Sequence, residues 1–216
     1  MKKFVIGCLG IMLMLSAGQA GAAPQFTQNE FTTAESLDPG MTHSGIHFTL
    51  GDRSKNYYAE IRYGMGALME VGVKVGASSA RIPGSGDKLG ALVGIDLKYQ
   101  LVKETDGIPI DLSVGLGLDN AIINKKNASE VSFSTIVSKS FPLTDRGYKL
   151  IPYGGLVMAS LGGSLPPESD NSTSIYVFGG IEWKLSQKFM ILLELKTDPS
   201  TLGDSTLGGA GIRFEY

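Results

Sequence analysis

The chain has 216 residues, of which 43% are hydrophobic and 19% are charged, and its formal net charge at pH 7 is −2. A slightly acidic chain without a basic excess offers no electrostatic basis for binding nucleic acid. Its single cysteine, Cys8, excludes a framework of disulfide bonds.

The first 22 residues predict a secretory signal peptide. Two lysines near the start are followed by an apolar stretch over residues 4–17 and then by Ala20-Gly21-Ala22. A positive start, a short apolar core and small residues are typical of a signal that is cleaved, here after Ala22. The apolar stretch is shorter than the roughly 20 residues that a membrane-spanning helix needs. We therefore expect export from the cytoplasm, with Cys8 lost together with the signal.

The next residues, 23–40, are polar and show no hydrophobic period, ending in the turn pair Pro39-Gly40. They predict a periplasmic lead-in segment. The remaining residues, 41–216, show one kind of pattern throughout and predict a single domain.

Ten segments of this domain alternate between apolar and polar residues with a period of two. The last segment shows the pattern most clearly, because Ile212, Phe214 and Tyr216 share one parity and Arg213 and Glu215 share the other. Such alternation predicts two-faced β-strands. The fifth segment includes Ile108 and Ile110 in its apolar parity. In the seventh, the apolar parity consists of Ile151, Tyr153, Gly155, Val157 and Ala159.

The connections between these segments alternate in length. Those at 64–66, 103–107, 142–147 and 185–187 are short, whereas those at 78–87, 119–129, 162–173 and 198–205 are longer. Outer-membrane barrels have short periplasmic turns and longer extracellular loops. The alternation therefore places both ends of the domain on the periplasmic side.

Charged residues concentrate on the polar parity, with both signs in near balance. A soluble ligand-binding barrel would place them in water, whereas a membrane barrel encloses them and turns its apolar face to lipid. The near absence of charge from the apolar parity favours the membrane barrel, because a water-facing apolar surface of this size would aggregate. We therefore predict a lumen charge network of Glu60, Arg62, Glu70, Lys74, Asp96, Lys98, Asp111, Glu182, Lys184, Glu194, Lys196, Arg213 and Glu215.

Aromatic residues on the apolar parity gather at the short-turn ends of the segments. Aromatic rings prefer the interface between lipid and water. The predicted interface aromatics are Tyr63, Tyr99, Phe141, Trp183, Phe189, Phe214 and Tyr216.

The glycine-aromatic stretches at 152–156 and 179–185 and the ending Phe214-Glu215-Tyr216 resemble small bacterial outer-membrane β-barrel proteins of the OmpA-barrel-like group. The front of the chain, at 33–40, 62–64 and 70–73, is more weakly similar to transporter-like outer-membrane barrels. The resemblance implies an all-β, antiparallel up-and-down transmembrane barrel of a Gram-negative outer membrane. We count ten strands, with eight as the alternative. The resemblance also implies outer-membrane lipid and the barrel-assembly machinery, through the C-terminal strand, as partners.

Several functions remain open from the sequence. A barrel of ten strands with a charged interior is expected to be narrow and mostly closed, with a structural or surface role or a porin-like passage for a small solute. An uptake route for a small hydrophobic compound, which the weaker resemblance implies, is the alternative, and its ligand is unknown. Neither His43 nor His47 belongs to a pattern typical of a lipid-modifying or proteolytic barrel, so we expect no enzyme. We also expect no cofactor and no metal site.

Overall fold

The alternating segments form β-strands in the computed structural model, which describes residues 30–51, 54–66, 68–82, 86–105, 107–143, 147–164, 172–199 and 206–216. The strands in these ranges are β1 (Thr42–Gly51), β2 (Ser54–Gly66), β3 (Met69–Ile82), β4 (Gly86–Val102), β5 (Asp111–Ile123), β6 (Lys126–Ser138), β7 (Phe141–Pro142), β8 (Lys149–Gly163), β9 (Ser172–Lys184), β10 (Phe189–Thr197) and β11 (Thr206–Glu215). The predicted signal peptide lies outside the described residues.

Neighbouring strands pair antiparallel in chain order, and two further pairings close the sheet. β1 pairs with β11 at one seam, and β6 pairs with β8 at the other. The two-residue strand β7 pairs only with β8 and stands outside the ring. The prediction of an all-β, up-and-down barrel is confirmed, with ten strands in the ring rather than eight. Closure leaves no long strand edge unpaired, as a barrel in lipid requires.

Side chains along most of the strands alternate between the interior and the outer surface. In β1, Ile46 is 63% exposed while the neighbouring His47 is 0% exposed. The apolar parity points outward, and the ionic parity points into the barrel. This orientation is the one predicted, since the outer surface carries Val, Leu, Ile and aromatic residues along nearly every strand.

We call the end where β1 begins and β11 ends the terminal rim, and the opposite end the distal rim. The seven predicted interface aromatics all lie on the outer surface near the terminal rim. The rings of Phe189 and Phe214 are 5.3 Å apart on neighbouring strands. Lys139 lies on this side too, with its ammonium 5.5 Å from the centroid of the Phe141 ring. A lysine in this position can extend its charge from the apolar surface into water.

The prediction for the seventh segment is wrong in its orientation. In β8, Ile151, Tyr153, Val157 and Ala159 point into the barrel and are buried, whereas Leu156 is 43% exposed. An apolar inner face is stable here because β8 packs against apolar residues of β6 and β9 and against Ala34, which lies inside the barrel. The fifth segment also differs at its start, since Ile108 and Ile110 precede β5.

Two connections at the distal rim are tighter than predicted. β3 and β4 remain paired as far as Ile82 and Gly86, which leaves three residues between them. β5 and β6 are joined by Asn124 and Lys125, whose φ angles are 52° and 64°. Positive φ at both positions is the requirement of a two-residue type I′ hairpin. The strands therefore continue through sequence that was predicted to form long loops.

One glycine of β8 permits a close approach of neighbouring backbone. A Cβ atom on Gly155 would overlap the carbonyl oxygen of Thr135 on β6. On the outer surface, a Cβ atom on Gly179 would find its nearest atom, the Tyr153 carbonyl oxygen, at 3.8 Å.

We expect Gly155→Ala to lower the free energy of unfolding by about 1–3 kcal/mol, because the added methyl group must displace backbone. Gly179→Ala is the matched control and should change it by less than about 0.5 kcal/mol. Urea unfolding of the protein in lipid vesicles, followed by heat-modifiable migration on a gel, measures both. Equal effects of the two substitutions would contradict the close approach.

Candidate functional site

The interior of the barrel contains a network of ion pairs around Arg62. Its guanidinium donates from Nη1 to Glu60 at 2.8 Å and from Nε to Glu70 at 2.8 Å. Its Nη2 donates to Asp96 at 2.5 Å. Arg62 is only 2% exposed. A guanidinium shared by three carboxylates satisfies buried groups that would otherwise be costly.

A second group of ion pairs lies nearer the terminal rim. Arg213 Nη1 lies 3.4 Å from Glu182, and Lys184 Nζ lies 2.8 Å from Glu215. Glu215 is also 3.0 Å from the Nε2 atom of His43. These contacts connect β1, β9 and β11, so the ionic side chains also link the strands around the closing seam.

The structure places all thirteen residues of the predicted charge network on the interior side of the wall. Ten of them are buried, whereas Asp96, Lys184 and Glu215 are partly exposed. Asp111 differs from the others in its bonding, because it accepts from the Gln100 side chain at 2.7 Å and from the Glu104 amide at 2.8 Å.

Sequence reasoning missed two further interior acids. Asp119 and Glu130 stand opposite each other on β5 and β6, and both are buried. Lys74 Nζ is 4.0 Å from Asp119 and 3.6 Å from Asp96. Asp119 lies at the start of the predicted long loop 119–129, and Glu130 lies between that loop and the sixth predicted segment, so neither was assigned to a face of a strand.

The most informative feature of the lumen is that the chain itself occupies it. Residues 30–37, which we call the inserted segment, enter from the terminal rim and run to the middle of the barrel. Phe31, Thr32, Thr33 and Ala34 are all buried, with exposures of 0–6%. The prediction of a periplasmic lead-in over 23–40 is therefore wrong for these residues, which the wall encloses. Residues 23–29 lie outside the described residues.

Backbone groups of the inserted segment are bound by side chains of the wall. Glu194 accepts from the amides of Glu30 and Phe31, each at 2.8 Å. Farther along, the amides of Ala34, Ser36 and Leu37 donate to Ser138, Gln100 and Glu70 at 2.9–3.0 Å. These acceptors come from β3, β4, β6 and β10, so the segment is held from several sides.

Two cations of the wall bind the carbonyl oxygens of the inserted segment. Lys98 Nζ donates to the Thr33 and Glu35 carbonyls at 2.7 and 2.8 Å and to the Thr32 hydroxyl at 3.0 Å. Arg213 Nη2 donates to the Phe31 carbonyl. Five amides and three carbonyl oxygens of a segment that belongs to no strand are thereby paired with the wall.

Two side chains anchor the inserted segment. The Phe31 ring lies 4.9 Å from the His47 ring and 6.5 Å from the Tyr58 ring, centroid to centroid. Ala34, which is 0% exposed, packs in an apolar cluster of β6, β8 and β9. The members of that cluster are Ala34, Ile136, Tyr153, Val157, Ala159, Tyr176 and Phe178.

Toward the distal rim the interior contains apolar side chains beside buried polar ones such as Asn56 and Glu130. Leu92 of β4, Ile123 of β5 and Leu161 of β8 point into the barrel and are at most 9% exposed. They belong to a cluster that also contains Phe31. Its members are Phe31, Tyr58, Ala80, Leu92, Ala121, Ile123, Ala128, Leu161, Met190 and Leu192. These side chains fill part of the distal half of the lumen.

A cavity of about 140 Å³ remains beside the inserted segment at the terminal rim. Thr33 and Glu35 of the segment line it, together with Lys98, Glu182 and Arg213 of the wall. A second cavity, of about 20 Å³, lies near Asp119 and Glu130 and is large enough for one water molecule. The larger cavity gives space beside the segment without connecting the two rims.

Each histidine lies beside a carboxylate of the wall, His43 beside Glu215 and His47 beside Glu60. His47 is fully buried between the Phe31 and Tyr58 rings, with Nε2 3.3 Å from Glu60. Across the residues that the structure describes, no cluster of three His, Cys, Asp or Glu side chains is placed to hold a metal ion. Those same ranges contain no helix long and apolar enough to cross a membrane.

No protein-family profile matches the chain, and no curated protein matches its sequence. The N-terminal β-barrel domain of Pseudomonas aeruginosa OprF is similar over 83% of this chain and 100% of that chain, with 13% identity and a TM-score of 0.39. The translocator domain of the autotransporter NalP from Neisseria meningitidis is similar over 82% of this chain and 86% of that chain, with 10% identity and a TM-score of 0.46. The KdgM porin is similar over 81% of this chain and 99% of that chain, with 9% identity and a TM-score of 0.42.

Outer-membrane β-barrels are among the solved structures that the chain resembles. The closed ring of strands, the apolar outer surface and the enclosed charges define a membrane-spanning β-barrel on physical grounds. Its lumen, with the segment bound inside, is the candidate functional site.

Proposed function

We propose that this protein is an integral outer-membrane β-barrel that its own N-terminal segment keeps closed. The observation that carries the proposal is the insertion of residues 30–37 inside the wall, where residues 31–34 are buried and backbone groups of the segment bond to side chains of several strands. The bound segment and the side chains that point into the distal half together close the lumen. The principal role is then structural or at the cell surface, rather than that of an open pore.

The outer surface supports a location in lipid. Residues such as Leu116 and Leu195 are 56% and 64% exposed, although both are fully apolar. Strands of 9–17 residues are long enough for the roughly 9–11 residues that a tilted strand needs to cross a bilayer. With the predicted signal peptide, this surface favours the outer membrane. Outer-membrane lipid, and the assembly machinery acting on β11, remain the proposed partners.

Passage of a small solute is the second candidate function. The cavity at the terminal rim favours it, because an opening of this size already exists beside the inserted segment. Its lining of Lys98, Glu182 and Arg213 suits a polar or charged solute better than a hydrophobic compound. Passage would require the inserted segment to leave the lumen, so it would be a gated function.

Conductance in planar bilayers tests the closure. We expect the full mature chain, inserted as a heat-modifiable barrel, to give no steady openings at moderate voltage, because the inserted segment blocks the lumen. An open porin added to the same bilayer serves as the control for membrane quality and insertion. Steady, voltage-independent openings of the unmodified protein would contradict closure and favour the passage.

A further inference from the structure

We propose that the lumen is a peptide-binding site that accepts an extended peptide in trans from the terminal rim, and that residues 30–37 are its exchangeable resident. This inference rests on the proposed closure by the inserted segment. The peptide that fits has an aromatic side chain at one position and an alanine or glycine three residues later.

The first argument is that the wall recognises backbone more than side chains. Glu194, Ser138, Gln100 and Glu70 accept from amides, and Lys98 donates to two carbonyl oxygens. Hydrogen bonds to main-chain groups bind any peptide of the right shape, while pockets for a few side chains provide selectivity. Here those pockets hold Phe31 and Ala34.

The second argument is that the groove exists independently of its occupant. Arg62 and Lys98 hold Glu70 at 2.8 and 3.0 Å. The Tyr153 hydroxyl donates to Glu194 at 3.0 Å. Because these groups are positioned by other wall residues, they remain in place to bind another peptide when the segment leaves. A preorganised site loses less free energy on binding.

The third argument concerns space and attachment. Residues 30–37 belong to no strand, and the turn at Gly40, with φ of +84°, joins them to β1. The cavity of about 140 Å³ lies beside Thr33 and Glu35, so larger side chains fit at these positions. By contrast, Ala34 is enclosed, and a large side chain there is excluded.

These features suggest a variant that empties the site within the full chain. In Ala34→Trp, the indole has no room between β6 and β8, so the segment should leave the lumen while the wall stays unchanged. A Thr33→Cys change in both backgrounds reports this step, because Thr33 is 6% exposed when the segment is bound. A membrane-impermeant thiol reagent should label the Cys faster in the Ala34→Trp protein, because the bound segment leaves only the cavity at the terminal rim as a route to residue 33.

The binding experiment uses a synthetic peptide with the sequence of residues 30–37. It carries a fluorophore at its C-terminal end, which would lie toward the terminal rim. We expect this peptide to bind the Ala34→Trp protein at least about tenfold more tightly than the unmodified protein, where the tethered segment competes at an effective concentration near the millimolar range. A peptide that carries Ala34→Trp itself is the control and should not bind.

The inference is overturned if the heat-modifiable, thiol-labelled Ala34→Trp protein does not bind the peptide, or binds both peptides equally. Equal binding to the unmodified and Ala34→Trp proteins would overturn it as well, since the site would then lie elsewhere. If Ala34→Trp does not fold, Phe31→Asp replaces it, because a carboxylate is excluded from the aromatic pocket. Conductance of the unmodified protein is a separate result, which tests closure whether or not the peptide binds.

Discussion

Replacing Arg62 with methionine is expected to lower the free energy of unfolding by about 3–5 kcal/mol. The substitution keeps much of the side-chain volume but removes the only guanidinium that contacts Glu60, Glu70 and Asp96 together. Glu60 and Glu70 would lose this partner in an interior shielded from water, and Asp96 would lose it where its side chain is 15% exposed. The loss of one partner from a buried pair is more costly than the pair itself is stabilising.

The measurement is urea unfolding of the protein in lipid vesicles, with the folded fraction read from heat-modifiable migration. Lys55→Met is the matched control. Lys55 lies 3.8 Å from Asp87, and both side chains are nearly half exposed. An exposed pair of this kind contributes no more than about 1 kcal/mol. A loss for Arg62→Met as small as that of Lys55→Met would show that water reaches the network.

The second large effect is expected on the outer surface, where Leu116→Arg should destabilise the protein in lipid by about 2–4 kcal/mol. Leu116 lies near the middle of β5, points outward and is 56% exposed. A charged side chain at this depth must sit in hydrocarbon or distort the bilayer to reach water. The same unfolding assay in vesicles measures the loss.

Leu101→Arg provides the depth control for this prediction. Leu101 also points outward, at 45% exposure, but it lies near the terminal rim at the end of β4. Near the interface the cost of arginine falls to about 0–1 kcal/mol. Should both substitutions be neutral, or should Leu116→Arg make the protein soluble without detergent, the outer surface would face water and the membrane assignment would be wrong.

The pattern of the chain predicted the sheet because a period of two has a direct structural consequence. Ile46 and His47 are adjacent in sequence and lie on opposite faces, and this relation holds along most strands. The number of strands in the ring followed from counting such segments. The charge network could be predicted in the same way, because Arg62 and Lys98 share their parity with glycines and polar residues.

The same rule failed where the interior is not polar. Apolar residues of β8 were expected outside, yet Tyr153 and Val157 point inward because Ala34 and neighbouring strands cover them. A signal was present in the sequence, since Leu92 and Leu192 interrupt the polar parity of their segments. They mark a lumen that is partly filled with apolar side chains, but only a second segment opposite them explains the pattern.

What the sequence determined by itself is therefore the barrel: the alternation of its residues dictates strands, the two faces and the side that meets lipid. Only the tertiary structure decided that residues 30–37 occupy the lumen and that apolar side chains reach into its distal half. Their sequence has no hydrophobic period, and their backbone bonds to Glu70, Lys98 and Glu194, which are 33 to 164 residues away along the chain. These long-range hydrogen bonds require strands that only the closed ring brings together, and no local pattern encodes them.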